Sequence, residues 1–235
     1  MNAPDIAAQL SEKLELDQPP IALTFVPVKP DDIAEFGGTV PSACSFWPRA
    51  QTDTFYASAE QHFNCPVGAL TMGFALPDEV KNELMGIVQK MCADDYLAEA
   101  ETTSLPHVNA ANAGIVYGPL SAFPLEPDII LIWLSAKQAM LYNEAAGAAT
   151  WTDAMMPNLF GRPTCAAIPA AQDQTRPTLS LGCIGMRTFT GAPADAMVAA
   201  IPSADAERFV EALDRTAASN AAMLKFYEGH KAQFA

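Results

Sequence analysis

Residues 114–134, GIVYGPLSAFPLEPDIILIWL, hold two apolar segments of strand length separated by a turn-rich connection. Both segments, Gly114–Leu120 and Asp128–Leu134, predict buried β-strands. Upstream, Ile21–Val28 alternates and carries β-branched residues, and downstream Ala196–Ile201 predicts a further strand. The sequence therefore predicts a β-sheet at the centre of the molecule.

Helical patterns surround these predicted strands, and serine or proline residues mark several of their ends. The predicted helices are residues 4–15, about 78–100, 136–149 and about 204–233. Strands that alternate with helices indicate an α/β or α+β fold, with a mixed β-sheet, flanking helices and a long C-terminal helix. A length of 235 residues fits one large domain, so we treat residues 1–235 as a single domain.

The predicted C-terminal helix carries an apolar stripe that marks its packing face. The stripe consists of Phe209, Leu213, Ala217, Leu224 and Tyr227. Asn220 lies on the same stripe, where it is either a helix-packing hydrogen-bond donor or a ligand contact.

The remaining segments have weaker patterns. Cys92 falls on the inner side of the predicted helix at 78–100, which predicts a core thiol. Met155–Arg162 contains turn-forming residues and predicts a loop, and Thr164–Ile168 predicts a short strand that ends at Pro169. Pro177–Gly191 predicts a strand that is interrupted by a Gly-Cys-x-Gly turn.

Composition limits the classes of partner. The formal net charge of −14 argues against nucleic acid and anionic membranes. No apolar run reaches the roughly 18–20 residues that cross a bilayer, and the N-terminal segment lacks the basic start and apolar centre of a secretory signal. We therefore expect a soluble cytoplasmic protein. Half of the residues are apolar and 17% are charged, which favours either a large core or a homo-oligomer interface.

The cysteines carry the clearest chemical signal. Their number, five, is odd, which in a reducing compartment favours buried thiols, metal ligands or catalytic groups over disulfides. Cys44, Cys65, Cys165 and Cys183 form no C-x-x-C pair, so their spacing excludes a zinc knuckle and a bacterial-ferredoxin pattern. Distant cysteines can still converge in the fold. Either these are ordinary buried thiols, or they are ligands of one metal centre.

Neighbouring residues favour the ligand hypothesis. Gly182 and Gly185 flank Cys183 and would let backbone N–H groups approach a sulfur-rich centre. Cys65 precedes a predicted helix that begins at Pro66, and free N–H groups at a helix start favour a thiolate.

Two further side chains lie near the cysteines in sequence. His62, three residues before Cys65, is either a ligand or proton shuttle, or a packed and hydrogen-bonded histidine. Arg187, four residues after Cys183, either offsets the charge of a cluster, holds an anionic ligand, or pairs with one of the many acids. The sequence contains none of the common nucleophile-elbow, P-loop, dinucleotide-binding or zinc-protease motifs.

The runs Cys44–Trp47, His62–Gly68 and Ser180–Arg187 resemble those of the domain-of-unknown-function 169 (DUF169) family of bacteria and archaea. The likeness continues through Gly114–Leu120 and into the helix that contains Asn220, so it covers most of the chain. The resemblance implies that Cys44, Cys65 and Cys183 match family cysteine positions and that Cys165 matches another. It implies no particular activity.

We therefore expect an iron–sulfur cluster, of which the 4Fe–4S type is one form, bound by Cys44, Cys65 and Cys183. Three thiolates would leave one iron open to water, a substrate or a fourth ligand, and Cys165 or His62 is the candidate for that fourth ligand. The role of the cluster would be redox or Lewis-acid chemistry with a redox partner or a small-molecule ligand. The alternatives are a metal-free thiol-dependent enzyme or ligand-binding protein that uses Cys65 or Cys183, an oligomerisation module, and a haem protein with a cysteine or His62 as axial ligand.

Overall fold

The computed structural model describes residues 1–109, 112–147 and 159–234. Within these residues, seven strands form one sheet in the order β2-β3-β1-β4-β7-β6-β5. The strands are β1 (Ile21–Val26), β2 (Phe55–Ser58), β3 (Gly114–Pro119), β4 (Ile129–Leu134), β5 (Leu159–Phe160), β6 (Thr178–Ser180) and β7 (Met197–Pro202). Strands β5 and β6 are parallel and the other neighbours are antiparallel, which confirms the predicted mixed sheet.

Helices flank the sheet, as predicted. Those in the described residues are α1 (Ala3–Leu14), α2 (Phe46–Arg49), α3 (Ala59–His62), α4 (Pro66–Thr71), α5 (Asp78–Ala93), α6 (Ala136–Ala145), α7 (Ala167–Gln174), α8 (Ile184–Thr190) and α9 (Ser203–Lys231). Short 3-10 turns precede α2 at Ala43–Ser45 and α7 at Thr164–Ala166, and two others span Glu99–Thr103 and Leu120–Ala122. The predicted helix at 136–149 ends at Ala145, and residues 148 and 149 lie outside the described residues. The long C-terminal helix is confirmed as α9.

Strand β4 separates two apolar layers, because its successive side chains point to opposite faces of the sheet. Ile129, Leu131 and Trp133 belong to a layer that also contains buried cysteines and aromatic rings, which we call the thiol face. The alternate residues, Ile130 and Ile132 among them, belong to a layer covered by α1, α6 and α9, which we call the helical face. All six residues of β4 are buried, as expected of a central strand.

Two segments that were predicted as strands are wholly or partly helical. Residues 164–174 form a 3-10 turn and then α7, because the segment is rich in alanine, the best helix former. Pro169 is the third residue of α7, in the first turn, where a backbone N–H has no partner within the helix. The prediction of a strand at Thr164–Ile168 was therefore wrong. Pro177–Gly191 forms β6 and then α8, so only its first part is a strand.

Helix α5 departs from its prediction in length and in burial. It ends at Ala93 and not near residue 100, and Asp95 follows with a φ of 53°. No residue of α5 is buried, and Cys92 is half-exposed. The prediction that Cys92 is a core thiol was therefore wrong. The apolar residues of α5 are spaced as on an amphipathic helix, but the helix lies on the surface of the protein.

The predicted loop at Met155–Arg162 is only partly described. Leu159 and Phe160 form the edge strand β5 against Leu179 and Ser180, whereas residues 155–158 lie outside the described residues.

Within the ranges that the structure covers, no helix is long and apolar enough to cross a bilayer.

Candidate functional site

Four of the five cysteines lie at the starts of short helical segments on the thiol face. Cys44 lies in the 3-10 turn before α2, and Cys165 lies in the 3-10 turn before α7. Cys65 and Cys183 are the N-cap residues of α4 and α8. The helix predicted to begin at Pro66 is thus confirmed. We call Cys44, Cys65, Cys165 and Cys183 the four-cysteine site.

Cys44 and Cys165 each lie close enough to other cysteines of the site for those charges to act on them. Burial raises the pKa of Cys44 to about 12, and negative charge on Cys65 and Cys183 adds to the increase. Burial raises the pKa of Cys165 well above its ordinary value, and charge on each of the other three cysteines adds to that increase. Cys44 and Cys165 are therefore neutral thiols at pH 7. The fold brings together cysteines that are far apart in sequence, and the outermost two, Cys44 and Cys183, are separated by more than half of the chain.

Ser42 links the first two cysteines. Its buried Oγ lies 3.1 Å from the Sγ of Cys44 and 3.6 Å from the Sγ of Cys65. Because both sulfurs contact one hydroxyl group, they are no farther apart than the sum of those distances. The same hydrogen bond lowers the pKa of Cys44, against the larger effect of burial.

Two threonines connect the other two cysteines to the rest of the site. The backbone N–H of Cys183 donates to Oγ1 of Thr164 at 2.7 Å, which holds the start of α8 against the turn that contains Cys165. The nearby Thr71 side chain lowers the pKa of Cys165, against the larger effect of burial. Thr71 is the last residue of α4, the helix that Cys65 caps, so α4 joins the two halves of the site.

Gly68 is required by the close packing around Cys65. A Cβ atom at this position would lie 2.9 Å from the Cys65 Sγ and 2.8 Å from the Cβ of Ala43. Glycine therefore lets the turn that carries Cys44 approach α4, and lets the Cys65 sulfur fold back over the start of its own helix.

The two glycines that flank Cys183 have different roles. Gly182 has a φ of 86°, a conformation that favours glycine, and it turns the chain from β6 into α8. A Cβ at Gly185 would only reach ordinary contact with the Cys183 Sγ, at 3.9 Å, so its small size is not sterically required. The sulfur does accept a backbone hydrogen bond, from the N–H of Met186 at 3.3 Å.

Arg187 lies on the Gly182 side of the α8 start. Its Nη2 donates to the carbonyl oxygen of Leu181 at 2.8 Å. Its Nη1 is buried and, among the described residues, has no hydrogen-bond partner. A Cβ at Gly182 would lie 2.1 Å from this nitrogen, so the guanidinium group packs directly on the glycine backbone. The structure gives Arg187 no ion pair within the described part of the chain.

His62 is buried among aromatic rings, with Phe46 and Phe74 at centroid distances of 4.7 and 4.8 Å. Its Nδ1 lies 2.7 Å from the carbonyl oxygen of Ser58 and must donate, so the neutral Nε2 accepts from the Tyr117 hydroxyl at 2.9 Å. Burial lowers the pKa of His62 to about 4. Both ring nitrogens are thus engaged, which matches the packed and hydrogen-bonded alternative of the sequence interpretation.

The donor set was tested against two kinds of metal centre. In residues 1–109, 112–147 and 159–234, no group of three or more His, Cys, Asp or Glu side chains is arranged to hold a metal ion. A single tetrahedral zinc would draw its thiolates to about 2.3 Å from one centre, and therefore close together. An iron–sulfur cluster is larger, because each cysteine binds a different iron atom. The site supplies four cysteine side chains, which is the type of donor that binds such clusters.

Exposure differs across the site. Cys44 and Cys165 are buried, whereas Cys65 and Cys183 are only half-buried. The buried rings of Phe46 and Trp47 follow Cys44 in the chain after one intervening residue, Ser45. One side of the site is thus closed by the protein interior, and the other side is accessible from solvent.

Sequence analysis identified the four cysteines but missed the groups that hold them. Ser42, Thr71 and Thr164 carry no motif, and their contacts join segments that are far apart in sequence. Tyr117 lies in a recognised strand, but its hydrogen bond to His62 depends on the packing of β3 against α3. The one available signal was Gly68, which stands three residues after Cys65 in an otherwise helical segment.

Comparisons with known proteins were informative about family. Residues 9–212 match the DUF169 family, described as "Uncharacterised ArCR". The chain is 25% identical over 222 residues to "Uncharacterized protein MJ0308" of Methanocaldococcus jannaschii, and the match covers 88% of this chain and 92% of that relative. No solved structure matches the chain. All four residues of the four-cysteine site lie within the matched range.

Proposed function

We propose that this chain, which belongs to the DUF169 family, binds an iron–sulfur cluster at its four-cysteine site. The observation that carries the proposal is geometric: Ser42 contacts the sulfurs of both Cys44 and Cys65, and Thr164 holds Cys183 beside the turn that contains Cys165. Four cysteine thiolates are the usual ligands of 2Fe–2S and 4Fe–4S clusters. When bound, such a cluster would supply one-electron redox chemistry.

Cys165 is the fourth ligand in this proposal. It lies within electrostatic range of the other three cysteines, whereas both nitrogens of His62 are engaged by Ser58 and Tyr117. A site closed by four protein ligands leaves no iron open to substrate. We therefore favour electron transfer to a redox partner over Lewis-acid catalysis, and the half-buried Cys65 and Cys183 would face that partner.

The protein residues have defined tasks in this arrangement. The Ser42 hydroxyl donates a hydrogen bond to the Cys65 sulfur and the Met186 N–H donates one to the Cys183 sulfur, and such bonds tune the reduction potential of a cluster. Because burial keeps Cys44 and Cys165 protonated at pH 7, binding of the metal must displace their protons. Loading should therefore be more favourable as the pH rises.

Purification without air, followed by assays of iron, acid-labile sulfide and zinc and a visible spectrum, tests the proposal. We expect brown protein with iron and sulfide in similar amounts and broad absorbance at roughly 400 nm. Serine substitutions of Cys44, Cys65, Cys165 and Cys183, made one at a time, should remove most of the iron. The matched control is Cys92→Ser, a half-exposed thiol on α5, which should retain it.

A colourless wild-type protein that takes up no iron after anaerobic incubation with ferrous iron and sulfide would contradict the proposal. Stoichiometric zinc without sulfide would replace it with a zinc site. Equal iron loss in Cys92→Ser and in the four site variants would point to a general effect on folding.

A second function is favoured by the accessibility of Cys183, whose sulfur is half-buried and accepts the Met186 N–H. In this alternative, the protein contains no metal and Cys183 or Cys65 acts as a reactive thiol that binds or attacks a small ligand. Titration with a thiol-specific alkylating reagent distinguishes the two. A metal-free protein with one fast-reacting cysteine supports the alternative, and protection of all four cysteines by bound iron supports the cluster.

A further inference from the structure

Cys44 and Cys65 are two site cysteines whose sulfurs contact the same oxygen atom. Both sulfurs lie within 3.6 Å of the Ser42 Oγ. Ser42 donates its single hydroxyl hydrogen to the Cys65 sulfur, so the Cys44 thiol must donate its own hydrogen to the Ser42 oxygen. The two sulfurs are thus connected through one buried hydroxyl group, although they belong to different segments of the chain.

The packing around Gly68 keeps the Cys65 sulfur against the turn that contains Cys44. A Cβ atom at Gly68 would lie 2.9 Å from the Cys65 Sγ and 2.8 Å from the Cβ of Ala43, the residue before Cys44. Because glycine has no Cβ, no side chain of residue 68 separates the sulfur from that turn. Rotation about the Cα–Cβ bond of Cys65 can therefore carry its sulfur toward Cys44, as a disulfide bond of about 2.05 Å requires.

Exposure gives the two sulfurs different roles in an oxidation. Cys65 is half-buried, so a dissolved disulfide such as oxidised glutathione can reach its sulfur. Cys44 is only 7% exposed, which closes its sulfur to a reagent of that size. A reachable cysteine beside a protected one is the arrangement in which the first thiol reacts and the second resolves the product.

We infer that Cys65 is a redox-modification site that reacts with a small-molecule disulfide and is resolved by Cys44, which gives a reversible Cys44–Cys65 disulfide in the metal-free protein. The Cys65 thiolate attacks one sulfur of oxidised glutathione, forms a mixed disulfide and releases the first glutathione. The Cys44 sulfur then attacks the Cys65 sulfur, so the protein disulfide forms and the second glutathione leaves. The protons of Cys65 and Cys44 end on the two released glutathione thiols. Two protein thiols are oxidised, and one glutathione disulfide is reduced.

The other half-buried cysteine of the site, Cys183, has different neighbours. Its sulfur accepts the N–H of Met186 at 3.3 Å, and its own N–H donates to Thr164. Within the ranges that the structure describes, no hydroxyl group hydrogen-bonds to the Cys183 sulfur and to a second cysteine sulfur. We therefore expect Cys183 to stop at a mixed disulfide with glutathione, whereas Cys65 proceeds to the internal bond.

The disulfide would also regulate the four-cysteine site, and this consequence rests on the proposed function. Cys44 and Cys65 are two of the four proposed ligands, so the bond removes half of the thiolates that a cluster needs. The disulfide-bonded protein should therefore take up no iron and sulfide until a reductant such as dithiothreitol restores the thiols. The bond itself forms without metal and is measured separately.

Peptide mapping of the metal-free full chain tests the inference. The protein is reduced, freed of metal with a chelator, incubated without air with oxidised glutathione, and alkylated before digestion. Trypsin cleaves after Arg49, so Cys44 and Cys65 fall on different peptides and a bond between them appears in mass spectrometry as one linked pair. We expect the linked pair in most chains, its loss with dithiothreitol, and glutathione alone on Cys183.

Single variants separate the two roles. Cys44→Ser removes the resolving sulfur, so glutathione should remain on Cys65 in most chains instead of few. Cys65→Ser should abolish the linked pair and leave Cys44 without glutathione, because Cys44 is buried. Cys92→Ser, at a half-exposed thiol of α5, is the matched control and should form the same linked pair as the wild type.

A measurement on the wild type alone removes dependence on the folding of the variants. If the fold selects the pair, unfolding in urea before oxidation should reduce the Cys44–Cys65 share to what random pairing among the five cysteines gives. An equal share in folded and unfolded protein would overturn the inference. So would a wild type in which Cys65 stays free or keeps glutathione, or one in which Cys65 bonds mainly to Cys165.

Iron uptake distinguishes failure of this inference from failure of the proposed function. Equal uptake of iron by the disulfide-bonded and the reduced protein would overturn the regulatory consequence. A mapped Cys44–Cys65 bond with no iron uptake by the reduced protein would contradict the cluster, and with it the regulation, while supporting the modification site.

Discussion

The two faces of the central sheet are built on the same strand but covered in different ways. On the helical face, α1, α6 and α9 cover the alternate aliphatic side chains of β4 with regular amphipathic helices. On the thiol face, the covering elements are short helices such as α2, α4 and α8, and cysteines lie at or just before the helix starts. Long helices provide continuous apolar contact, whereas many short ones provide many helix starts at which a side chain can be positioned. Both faces bury apolar side chains, and the thiol face in addition positions the four cysteines.

The largest expected effect tests the stabilising role of the helical face. Phe209 is 2% exposed and its ring lies 4.9 Å from that of Tyr142. Phe209→Ala should lower the free energy of unfolding by about 3–5 kcal/mol, because it removes a buried ring and leaves a cavity. Phe226→Ala, on the exposed part of the same helix, should change it by about 0.5 kcal/mol or less in the monomer. Urea denaturation measures both free energies of unfolding. Similar losses of stability for the two variants would contradict the division of α9 into a packed first part and an exposed second part.

The next effect is pH-dependent and belongs to the thiol face. An unfolded histidine gains a proton near its ordinary pKa of 6.5, whereas buried His62 stays neutral until about pH 4. The unfolded state therefore binds more protons in this window, and the free energy of unfolding should fall by up to about 3 kcal/mol as the pH drops from 6.5 to 4. Above pH 6.5 this contribution is constant.

Urea denaturation of the wild type and His62→Gln at several pH values isolates that contribution, because the carboxylates titrate equally in both. The wild type should lose more stability than the variant between pH 6.5 and 4. Parallel pH profiles would show that His62 is accessible to protons in the folded protein and that the buried pair with Tyr117 is not maintained.

The smallest effect sharpens the comparison within the thiol face. Gly68→Ala places a Cβ against the Cys65 sulfur and the Ala43 side chain, so we expect a loss of about 1–3 kcal/mol from overpacking. Gly86→Ala, in the exposed helix α5, meets no atom within 4 Å and should stabilise the protein by about 0.5–1 kcal/mol. Thermal and urea denaturation measure both. A neutral Gly68→Ala would mean that the turn of Cys44 can move away from α4.

The two faces also differ in how well the sequence predicts them. The elements of the helical face follow strong periodic patterns, so α1, α9 and strands β1, β4 and β7 were predicted to within a few residues. The thiol face contains segments whose structure depends on single positions. Pro169 was interpreted as the end of a strand, but it lies in the first turn of α7. Gly182 was interpreted as part of a turn that interrupts a strand, but it starts the connection from β6 to α8.

The candidate site was only partly predicted, because its contacts also depend on single positions and not on a periodic pattern. Residue type, and the resemblance to a family, selected the four cysteines. The hydroxyl groups of Ser42, Thr71 and Thr164 contact these cysteines only because distant segments fold against each other, and no local pattern records such contacts. Asn220 carried two interpretations, and its hydrogen bond to Glu144 agrees with helix packing.

Because the four cysteines are spread widely along the chain, the site can form only late in synthesis. Cys44 and Cys183 are separated by more than half of the chain, so a nascent polypeptide cannot complete the set until most of it has left the ribosome. If the proposed cluster is bound, it must then be inserted late, into a scaffold that is already stable without it. The aliphatic layer beneath α1, α6 and α9 can supply that stability, so an empty, soundly folded precursor should accumulate in iron-starved cells.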